Sequence, residues 1–430
     1  METKRRVVIT GMATINPLGD DLDSFYNNLI AGKSGIKRWT SLDTSNVDCK
    51  IGGDLGDYDC GAALEGLRAV LDPDLHKRLR KLFRTMTLPN KTATLCAIKA
   101  WLGAGLFDRA LRPADDRISV MVGGHNFNSR YVLEQNLQFL KEPAFIDPLY
   151  GIEALDPNIP GTICEVLEAR GPAYNLGAAC ASGNMALRDG YRDIITGECD
   201  VSVVAGGFWD MNEPDLNAMA TLSALVIDPY FQDHPEQASR PFDKKRCGFV
   251  PSHGAAALVI EDYERAKKRG APIWAEVLGV AAGSNANHLP APVSEAMGAL
   301  MKRVIEQAGI APTEVDYVNC HATATPLGDL KELAAIKYAL GDHAFKIKLN
   351  ASKSMLGHTC WSAPLVETIG GILQMKNGML HGTTNIDELA EDVDLDVCAN
   401  GSQPTQARTM LKNAFGFGGL NSCALFRIID

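Results

Sequence analysis

Strand-like apolar runs alternate with helix-like segments along most of this chain, and the alternation limits the possible folds more than any other feature. The strand-like runs are β-branched, continuously apolar and bounded by glycine or polar turns, which is typical of strands buried on both faces. The segments between them have helical spacing, and several end at glycine. The sequence therefore predicts an α/β fold with helices on a mostly parallel sheet. The strand-like runs are RRVVITGMA, ISVMVGG, DVSVVAGG, AALVIED, AEVLGVAAG, VDYVNCHAT and CALFRIID, and the helix-like segments are LDSFYNNLIAG, TATLCAIKAWLGAGL, AMGALMKRVIEQAGI and LKELAAIKYALG.

Length and charge set further limits. The 430 residues suffice for two or three domain-sized units, and the formal net charge of -10 argues against a general binder of nucleic acids or anionic membranes. No apolar run approaches the roughly 20 residues that span a bilayer, so we expect no membrane association. The N-terminal METKRRVVITGM passes from charged residues into a strand-like run without a signal core, which predicts a mature cytoplasmic protein.

The cysteines form no recognisable framework. There are eleven, scattered singly, without a C-x-x-C pair. In a large chain without a secretion signal, this pattern predicts reduced and buried thiols rather than disulfides or a zinc site. We therefore expect no bound metal, and any catalytic cysteine has to be recognised from its surroundings.

One cysteine has unusual neighbours. Cys180 lies in NLGAACASGNMALRDGYRDI (175–194), between a strand-and-turn segment and an amphipathic helical run. At the first turn of a helix, unpaired N–H groups and the macrodipole favour a thiolate. Ala181, Ser182 and Gly183 are small and are expected to leave space for a substrate above the sulfur. The alternative interpretation is a small buried hydrophobic residue.

Three later segments carry further candidates. His321 follows an apolar strand in VNCHATATPLGD, Lys353 and His358 lie on either side of a glycine in NASKSMLGHT, and NAFGFGGLNS is a glycine-rich loop before the last strand. Taken alone, each has an ordinary structural interpretation: a satisfied histidine, a solvated lysine and a tight turn. The loop lacks the lysine of a phosphate-binding Walker motif.

Together these segments resemble a known family. ACAS, HATATPLGD, KSMLGH and FGFGG, in that order, resemble the four signature motifs of the elongating, Cys-His-His type of β-ketoacyl-acyl carrier protein synthases, and SRPFDKKRCGFV (239–250) resembles a further motif of theirs. The resemblance covers essentially the whole chain. It implies a thiolase-like fold, with two related halves in a layered α-β-α-β-α core. The halves are expected at 1–265, with the nucleophilic cysteine, and at 266–430, with the two histidines and the glycine-rich gating loop.

The resemblance implies a reaction as well. An acyl group passes from a carrier thioester to Cys180, which acts as nucleophile, and the backbone amides of Cys180 and Phe417 form the oxyanion hole. His321 and His358 match the pair that stabilises the enolate formed when a malonyl thioester loses carbon dioxide. The implied activity is decarboxylative Claisen condensation of the Cys-bound acyl group with malonyl-acyl carrier protein. This is the reaction of a β-ketoacyl-acyl carrier protein synthase, an acyltransferase of fatty-acid or polyketide biosynthesis.

Other family positions are filled too. Lys353 matches a lysine close to the second histidine, and Glu367 matches the carboxylate that pairs with it. Phe417 matches a gating phenylalanine whose ring moves between acylation and condensation. The family implies no cofactor of its own, because substrates arrive on the phosphopantetheine of the carrier. The remaining matches are the structural acids Asp329 and Glu332 and the pantetheine-binding hydroxyls Thr323 and Thr325.

The resemblance also implies partners. These are an acyl carrier protein and a second synthase-like subunit, in a homodimer joined edge to edge or in a heterodimer with a related chain. Because carriers are strongly acidic, the densest basic segment, HKRLRKLFR (76–84), is a candidate docking surface, although a solvated helix face is an equally good interpretation. The candidate contacts are Lys77, Arg78, Arg80 and Lys81.

Several positions depart from the family pattern. Because one of them, Trp361, follows His358 closely, we predict a reshaped acyl or carrier channel. The departures also favour a specialised polyketide, polyene or lipid-modifying pathway over housekeeping elongation. They are Ala322 in place of a glycine, Ser252 and His253 in place of a Gly-Glu pair, Trp361 and Pro364 in a run of small residues, and a segment 225–237 that is several residues longer.

Three alternative functions remain at this stage. The first is a decarboxylase that converts malonyl-carrier to an acetyl starter or branching unit, a role in which the nucleophile is usually Ser or Gln. The second is a non-catalytic partner that sets chain length, which typically loses the cysteine and part of the histidine pair. The third is a thiolase or carrier-independent acyltransferase, against which the KSMLGH motif and the absence of a second cysteine motif argue. Cys180, His321 and His358 together favour the synthase.

Overall fold

The computed structural model describes residues 5–289 and 291–429. The two predicted halves therefore begin and end with residues, 1–4 and 430, that lie outside the described residues. The strands are β1 (Val7–Ile15), β2 (Lys37–Arg38), β3 (Ile51–Gly52), β4 (Ile118–Gly123), β5 (Ala173–Leu176), β6 (Val201–Gly206), β7 (Ala255–Asp262), β8 (Ala275–Ser284), β9 (Tyr317–Asn319), β10 (Lys348–Asn350), β11 (Met379–Leu380), β12 (Gln403–Pro404), β13 (Thr409–Gly416) and β14 (Leu420–Arg427).

Helices connect these strands, and glycines in the left-handed conformation end three of the long ones, at Gly197, Gly309 and Gly378. The helices are α1 (Leu22–Ile30), α2 (Cys60–Glu65), α3 (Pro73–Leu82), α4 (Leu88–Gly103), α5 (Ser129–Lys141), α6 (Tyr150–Glu153), α7 (Asn158–Leu167), α8 (Ser182–Thr196), α9 (Glu213–Thr221), α10 (Pro229–Asp233), α11 (Tyr263–Lys268), α12 (Ser294–Ala308), α13 (Pro326–Leu340), α14 (Lys353–Leu356) and α15 (Ala363–Asn377).

Ten strands join in one mixed sheet in the order β10-β9-β13-β14-β8-β1-β7-β6-β4-β5. The pattern of pairings is the same on both sides of the β1/β8 contact. From β1 outward to β7, β6, β4 and β5, the first two pairings are antiparallel and the last two parallel. The same holds from β8 outward to β14, β13, β9 and β10. This arrangement gives two related halves of five strands each. A boundary between residues 265 and 266, at the end of β7 and within α11, stays a prediction.

The prediction of a mostly parallel sheet is wrong, because the sheet is mixed. β1, β7, β8 and β14 pair antiparallel with their neighbours, and only the outer strands of each half pair in parallel. Continuous apolar runs report burial on both faces and carry no information about strand direction. Burial on both faces is what these strands share, since every residue of β1, β4 and β6 is buried.

The helices complete the layers. The two central helices, α8 and α15, contact strands of both halves, while α4 covers β1 and β7 on one outer face and α12 covers β8 and β14 on the other. Central position explains the burial of α15, in which residues 363–375 are all buried. The predicted α-β-α-β-α core is confirmed. No helix in the described part of the chain is long and apolar enough to cross a membrane.

Candidate active site

A cavity of about 280 Å³ lies where loops from both halves of the fold converge. It places together most of the residues that the sequence motifs singled out, although they lie up to 237 positions apart in the sequence. Five segments supply them: the turn before α8, the loop after β9, helix α13, the loop after α14 and the loop after β13. The predicted residues that line the cavity are Cys180, His321, Thr323, Thr325, Glu332, His358 and Phe417.

Cys180 lies in a 3₁₀ turn, 179–181, directly before α8, as the helix-start interpretation predicted. The turn is held by Ser182, whose Oγ accepts from the Ala178 amide at 2.8 Å and donates to the Ala179 carbonyl at 2.6 Å. The cysteine itself is 8% exposed. A short turn pinned to its own helix thus presents the thiol at the cavity wall.

The small residues after Cys180 have a different purpose from the predicted one. A Cβ on Gly183 would lie 3.0 Å from Leu365 and 3.2 Å from the Trp361 carbonyl, and a Cβ on Gly123 would lie 2.5 Å from the Ser182 carbonyl. Ala181 and Ser182 are fully buried. These residues are small because α8 begins against β4 and α15, and the open space above the sulfur is provided by other loops.

The electrostatics of the thiol also differ from the prediction. Burial raises the pKa of Cys180 to about 11, against the opposing effects of the Lys353 charge and of hydrogen bonds from the backbone amides of Phe417 and of Cys180 itself. The resting residue is therefore a thiol at neutral pH, and the helix start alone does not make it a thiolate. The two amides nevertheless donate towards the Cys180 sulfur, so both lie close to any acyl group that is bound to it.

The glycine-rich loop approaches the cysteine turn closely. A Cβ on Gly416 would lie 2.6 Å from the Ala178 carbonyl and 3.2 Å from the Cys180 nitrogen, so only glycine allows this contact. Gly418 and Gly419 then turn the chain with φ of +79° and +69°. Phe417 lies between Gly416 and Gly418 and is 39% exposed at the cavity.

The two histidines face one another at the cavity wall, with ring centroids 5.4 Å apart and planes nearly perpendicular. The backbone of His358 donates to the Val250 carbonyl at 2.7 Å, and its Nδ1 accepts from the Cys360 amide at 3.2 Å. The hydrogen of the neutral ring is therefore on Nε2, which is buried and has no partner among the described residues. Burial, followed by the Lys353 and Lys412 charges, holds the pKa of His358 well below its usual range.

His321 is positioned through the buried carboxylate of Glu332. The amides of His321 and Ala322 donate to Glu332 at 2.8 and 2.7 Å, and the Asn413 side chain donates to it at 2.9 Å. Burial holds the pKa of His321 well below its usual range, assisted by Lys353, His358 and Lys412. Both histidines are thus neutral at neutral pH, and His358 is the one whose tautomer is fixed as a donor.

Asp329 anchors the segment 239–250 to the loop of the first histidine. Its Oδ2 accepts from the Phe242 amide at 2.9 Å, and the Arg246 guanidinium lies 3.8 Å away and donates to the Pro326 carbonyl at 2.6 Å. Burial raises the pKa of Asp329 to about 7. Asp329 does not line the cavity, and its contacts are those of a structural residue.

Lys353 and Glu367 form the ion pair that the resemblance implied, with Nζ and Oε1 2.5 Å apart and both side chains buried. The sequence reasoning missed a third member, Lys412, whose Nζ lies 2.6 Å from the second oxygen of Glu367. A signal for it existed, because Lys412 interrupts the otherwise uncharged strand segment TMLKNAFG. Neither lysine lines the cavity, so both act on it through their charge.

The two threonines lie together at the cavity wall, with Oγ1 atoms 3.2 Å apart. Gly328 lies below them, where a Cβ would come within 2.3 Å of the Thr325 Oγ1. Two adjacent hydroxyls in an otherwise largely apolar passage suit an amide-containing arm such as pantetheine.

Trp361 fills the space beside the cysteine turn and away from the cavity. Its ring stacks on His125 at 4.3 Å and on Trp209 at 4.8 Å, and none of the three residues lines the cavity. The turn 360–362 packs directly against the turn 179–181 that carries the cysteine. Pro364 lies in the first turn of α15, where a proline does not disturb the helix. No motif or local pattern pointed to His125 or Trp209.

His253, another departure from the family pattern, is a structural residue. Its Nδ1 accepts from the Leu55 amide at 2.9 Å, and its ring lies 5.2 Å from both Phe208 and Trp39. The neighbouring Ser252 amide donates to the His358 carbonyl at 3.0 Å. This pair therefore supports the loop of the second histidine from below.

The predicted docking residues lie on one exposed helix outside the cavity. Lys77, Arg78, Arg80 and Lys81 are exposed on α3, and three of them line a separate surface groove with Arg68, His76 and Arg84. No ion pair neutralises any of the four among the residues that the structure describes. The helix is thus an unneutralised basic surface.

The layered fold and a cavity with one cysteine and two histidines define a thiolase-like enzyme of acyl transfer. Comparison with known proteins gives the particular family: the model of the "Beta-ketoacyl synthase, N-terminal domain" matches residues 4–266, and that of the "Beta-ketoacyl synthase, C-terminal domain" matches residues 274–387. The chain belongs to the β-ketoacyl synthase family, as its motifs predicted.

Whole proteins that are similar to this chain support the same family assignment. The chain is 34% identical to the "3-oxoacyl-[acyl-carrier-protein] synthase 2" of Coxiella burnetii (strain RSA 493 / Nine Mile phase I), over 99% of this chain and 100% of the relative. It is 30% identical to the "Polyketide biosynthesis malonyl-ACP decarboxylase PksF" of Bacillus subtilis (strain 168), over 99% and 97%. Among solved structures, "The ishigamide ketosynthase/chain length factor" superimposes with a TM-score of 0.87 at 27% identity, over 100% of both chains.

Proposed function

We propose that this chain transfers an acyl group from a carrier protein to Cys180 and condenses it with malonyl-acyl carrier protein, releasing carbon dioxide and a β-ketoacyl-carrier. One observation carries the proposal: a single cavity holds a thiol and two neutral histidines, one of which has an unpartnered Nε2–H. The thiol suits acyl transfer, and the paired N–H donors suit an enolate oxygen.

The first half-reaction is acyl transfer. The carbonyl carbon of the thioester bonds to the Cys180 sulfur while its bond to the pantetheine sulfur breaks, and the thiol proton leaves with pantetheine. The amides of Cys180 and Phe417 stabilise the tetrahedral oxyanion. Burial holds the resting cysteine protonated. Acylation is therefore faster with the substrate carbonyl oxygen against these two amides, which stabilise the negative charge of the intermediate, than without this contact.

The second half-reaction is decarboxylative condensation. The malonyl carboxylate leaves as carbon dioxide, and its bonding electron pair moves to the thioester oxygen, where His321 and His358 donate hydrogen bonds to the enolate. The enolate carbon then bonds to the acyl carbon, and the Cys180 sulfur leaves with the electron pair and takes up a proton. Thr323 and Thr325 hold the pantetheine arm during both steps, and the Phe417 ring yields to admit the second substrate.

Two surfaces support the proposed partners. The basic face of α3 suits an acidic carrier protein. The outer edge of β5 has no strand partner among the described residues, and α5 with the segment after it exposes a group of large apolar side chains, which is typical of an interface. A second synthase-like subunit, identical or related, would cover that edge and these side chains. They are Leu137, Phe139, Leu140, Phe145, Ile152 and Leu155.

Intact-protein mass spectrometry tests the proposal. The protein is incubated with a panel of acyl-carrier thioesters and then with malonyl-carrier. We expect a mass gain that Cys180→Ala abolishes and that malonyl-carrier releases as a ketoacyl product two carbons longer. Cys247→Ala is the matched control, because that thiol is half-buried and outside the cavity. Acylation that persists in Cys180→Ala contradicts the proposal.

A second candidate, malonyl-carrier decarboxylase, is favoured by the 30% identity to the Bacillus relative of that name. The same experiment separates the two functions, because a decarboxylase converts malonyl-carrier to acetyl-carrier without forming a ketoacyl product. A chain-length-setting partner, a role that the name of the ishigamide structure includes, would show neither reaction.

A further inference from the structure

Lys412 is a fully buried ammonium group at the base of the active site. It projects from β13, its Nζ lies 2.6 Å from Glu367 Oε2, and it donates to the Asn413 carbonyl at 2.6 Å. The other oxygen of Glu367 lies 2.5 Å from the Lys353 Nζ. Two ammonium groups therefore share one carboxylate.

Glu332 is the other carboxylate near Lys412, and its charge attracts the ammonium, although no ion pair joins the two among the described residues. Three N–H donors, from His321, Ala322 and Asn413, hold this carboxylate against the loop of the first histidine. The directly paired trio of Lys353, Glu367 and Lys412 keeps one net positive charge. Burial lowers the pKa of Lys412, which the attraction of Glu367 opposes. The groups that face Lys412 from the elements around it are Glu367, Lys353, Glu332, His321, His358, Cys320 and Cys423.

Stability does not account for a second buried ammonium. Moving a charge from water into the protein interior is unfavourable. Replacing buried ions with well-packed apolar side chains often leaves the stability of the protein unchanged or increases it. Lys353 and Glu367 already form a balanced pair without Lys412. The third charge is therefore explained better by what it does to the cavity.

We propose that Lys412 is a positioning residue of the condensation site: by sharing Glu367, it leaves the Lys353 ammonium only partly neutralised beside Cys180, His321 and His358. The net positive charge of the trio favours the two anions of the reaction, the Cys180 thiolate and the enolate. It also disfavours protonation of either histidine. The inference deepens the proposed function and rests on it for the enolate.

Lys412→Met is the first test, because it leaves Lys353 and Glu367 as a balanced pair instead of an orphaned charge. We expect malonyl-carrier decarboxylation to fall about ten- to thirtyfold, as for the loss of a unit charge within about 10 Å in a partly desolvated site. A readout without substrate accompanies it: alkylation of Cys180 by iodoacetamide at pH 7 falls severalfold, and its pH profile moves to higher pH. Lys337→Met, which removes a surface ammonium paired with Asp394 at 2.9 Å, changes neither.

Lys412→Gln separates charge from packing, since the amide fills the site and donates a hydrogen bond without a charge. The proposal expects Gln to behave as Met does, and wild-type alkylation and decarboxylation profiles in either folded variant would overturn it. If both variants fail to fold, Lys412 is a structural residue and the proposal is wrong. If the wild type neither condenses nor decarboxylates malonyl-carrier, the proposed function fails, while the alkylation profiles still decide the role of Lys412.

Discussion

The backbone N–H of Cys360 donates to Nδ1 of His358 at 3.2 Å, and this bond fixes the ring in the tautomer with its hydrogen on Nε2. Cys360 is held in the left-handed region, with φ of +50°, in the turn that makes the bond. The backbone of Cys360, and not its side chain, therefore sets the tautomer of His358. The tautomer makes His358 a donor towards the cavity, which is what an enolate oxygen needs.

His358→Leu is expected to abolish that donor while keeping most of the ring's volume. Loss of one oxyanion donor typically raises a barrier by about 2.7–4 kcal/mol, so malonyl-carrier decarboxylation should fall about 10²- to 10³-fold. Acylation of Cys180, followed by mass spectrometry, should change much less. His343→Leu, outside the cavity, serves as the control. Equal losses in both half-reactions would assign His358 a role other than enolate stabilisation.

The thiol pKa predicts a steep pH dependence. Because burial raises the pKa of Cys180 to about 11, its rate of alkylation by iodoacetamide should rise roughly tenfold per pH unit through the neutral range. Peptide mapping of the Cys180 peptide between pH 6 and pH 10 measures this rate. A plateau below pH 9 would show that the pKa of Cys180 is not raised, which would contradict the effect of burial.

The sequence motifs located the cavity because each keeps chemistry-bearing residues within a few positions of one another. ACAS, HATATPLGD, KSMLGH and FGFGG each form one short segment at the end of a strand or shortly after it, and the places of β5, β9, β10 and β13 in the sheet fix where these segments converge. What the motifs could not provide are contacts between distant segments. Lys412 meets Glu367 across 45 positions, and Trp361 meets His125 across 236.

The direction of the strands could not be predicted from the sequence either. A run such as AALVIED is apolar throughout whether its neighbours are parallel or antiparallel, so the mixed sheet had no signal. The small residues after Cys180 were misread for a related reason. Their size reflects the close approach of α15 to α8, and two helices that begin 181 positions apart leave no local pattern.

Asp329 gives a prediction for stability. Its folded pKa of about 7 lies above the usual value of about 3.9 for an unfolded chain, so between these values the folded state binds the additional proton. Its contribution to stability is complete below pH 4 and is lost as pH rises to 7. The wild type therefore loses stability between pH 5 and pH 8, and Asp329→Asn does not. The free energy of unfolding of the variant, relative to that of the wild type, should rise by about 2–3 kcal/mol from pH 5 to pH 8. Urea unfolding at the two pH values measures the difference, and an equal offset at both would contradict it.

The basic helix predicts a salt-dependent affinity. Lys77→Glu with Lys81→Glu reverses two unneutralised charges on α3, so the KM for acyl-carrier should rise several-fold and lose most of its dependence on ionic strength, while kcat changes little. Lys267→Glu with Lys268→Glu on α11 is a matched pair of reversals elsewhere. Steady-state kinetics at two salt concentrations distinguishes docking from a solvated helix face, for which both double variants behave alike.

The position of Trp361 predicts that Cys180 accepts short acyl groups. The turn that carries it packs against the cysteine turn, and the stack of Trp361 with His125 and Trp209 fills the space next to Cys180 on the side away from the cavity. An acyl chain on the cysteine therefore has little room there. We expect acetyl and butyryl groups to acylate Cys180 at least about tenfold faster than octanoyl, because overpacking an occupied core is costly.

Trp361→Ala should reverse that preference by opening a cavity beside the sulfur, although loss of a buried tryptophan typically costs about 3–5 kcal/mol of stability. Acylation rates for the three chain lengths are measured by mass spectrometry at a temperature where the variant remains folded. Trp274→Ala, which removes a half-buried tryptophan that precedes β8 and lies outside the cavity, is the control for general loosening. If wild type and Trp361→Ala show the same chain-length profile, the aromatic stack does not limit the acyl group.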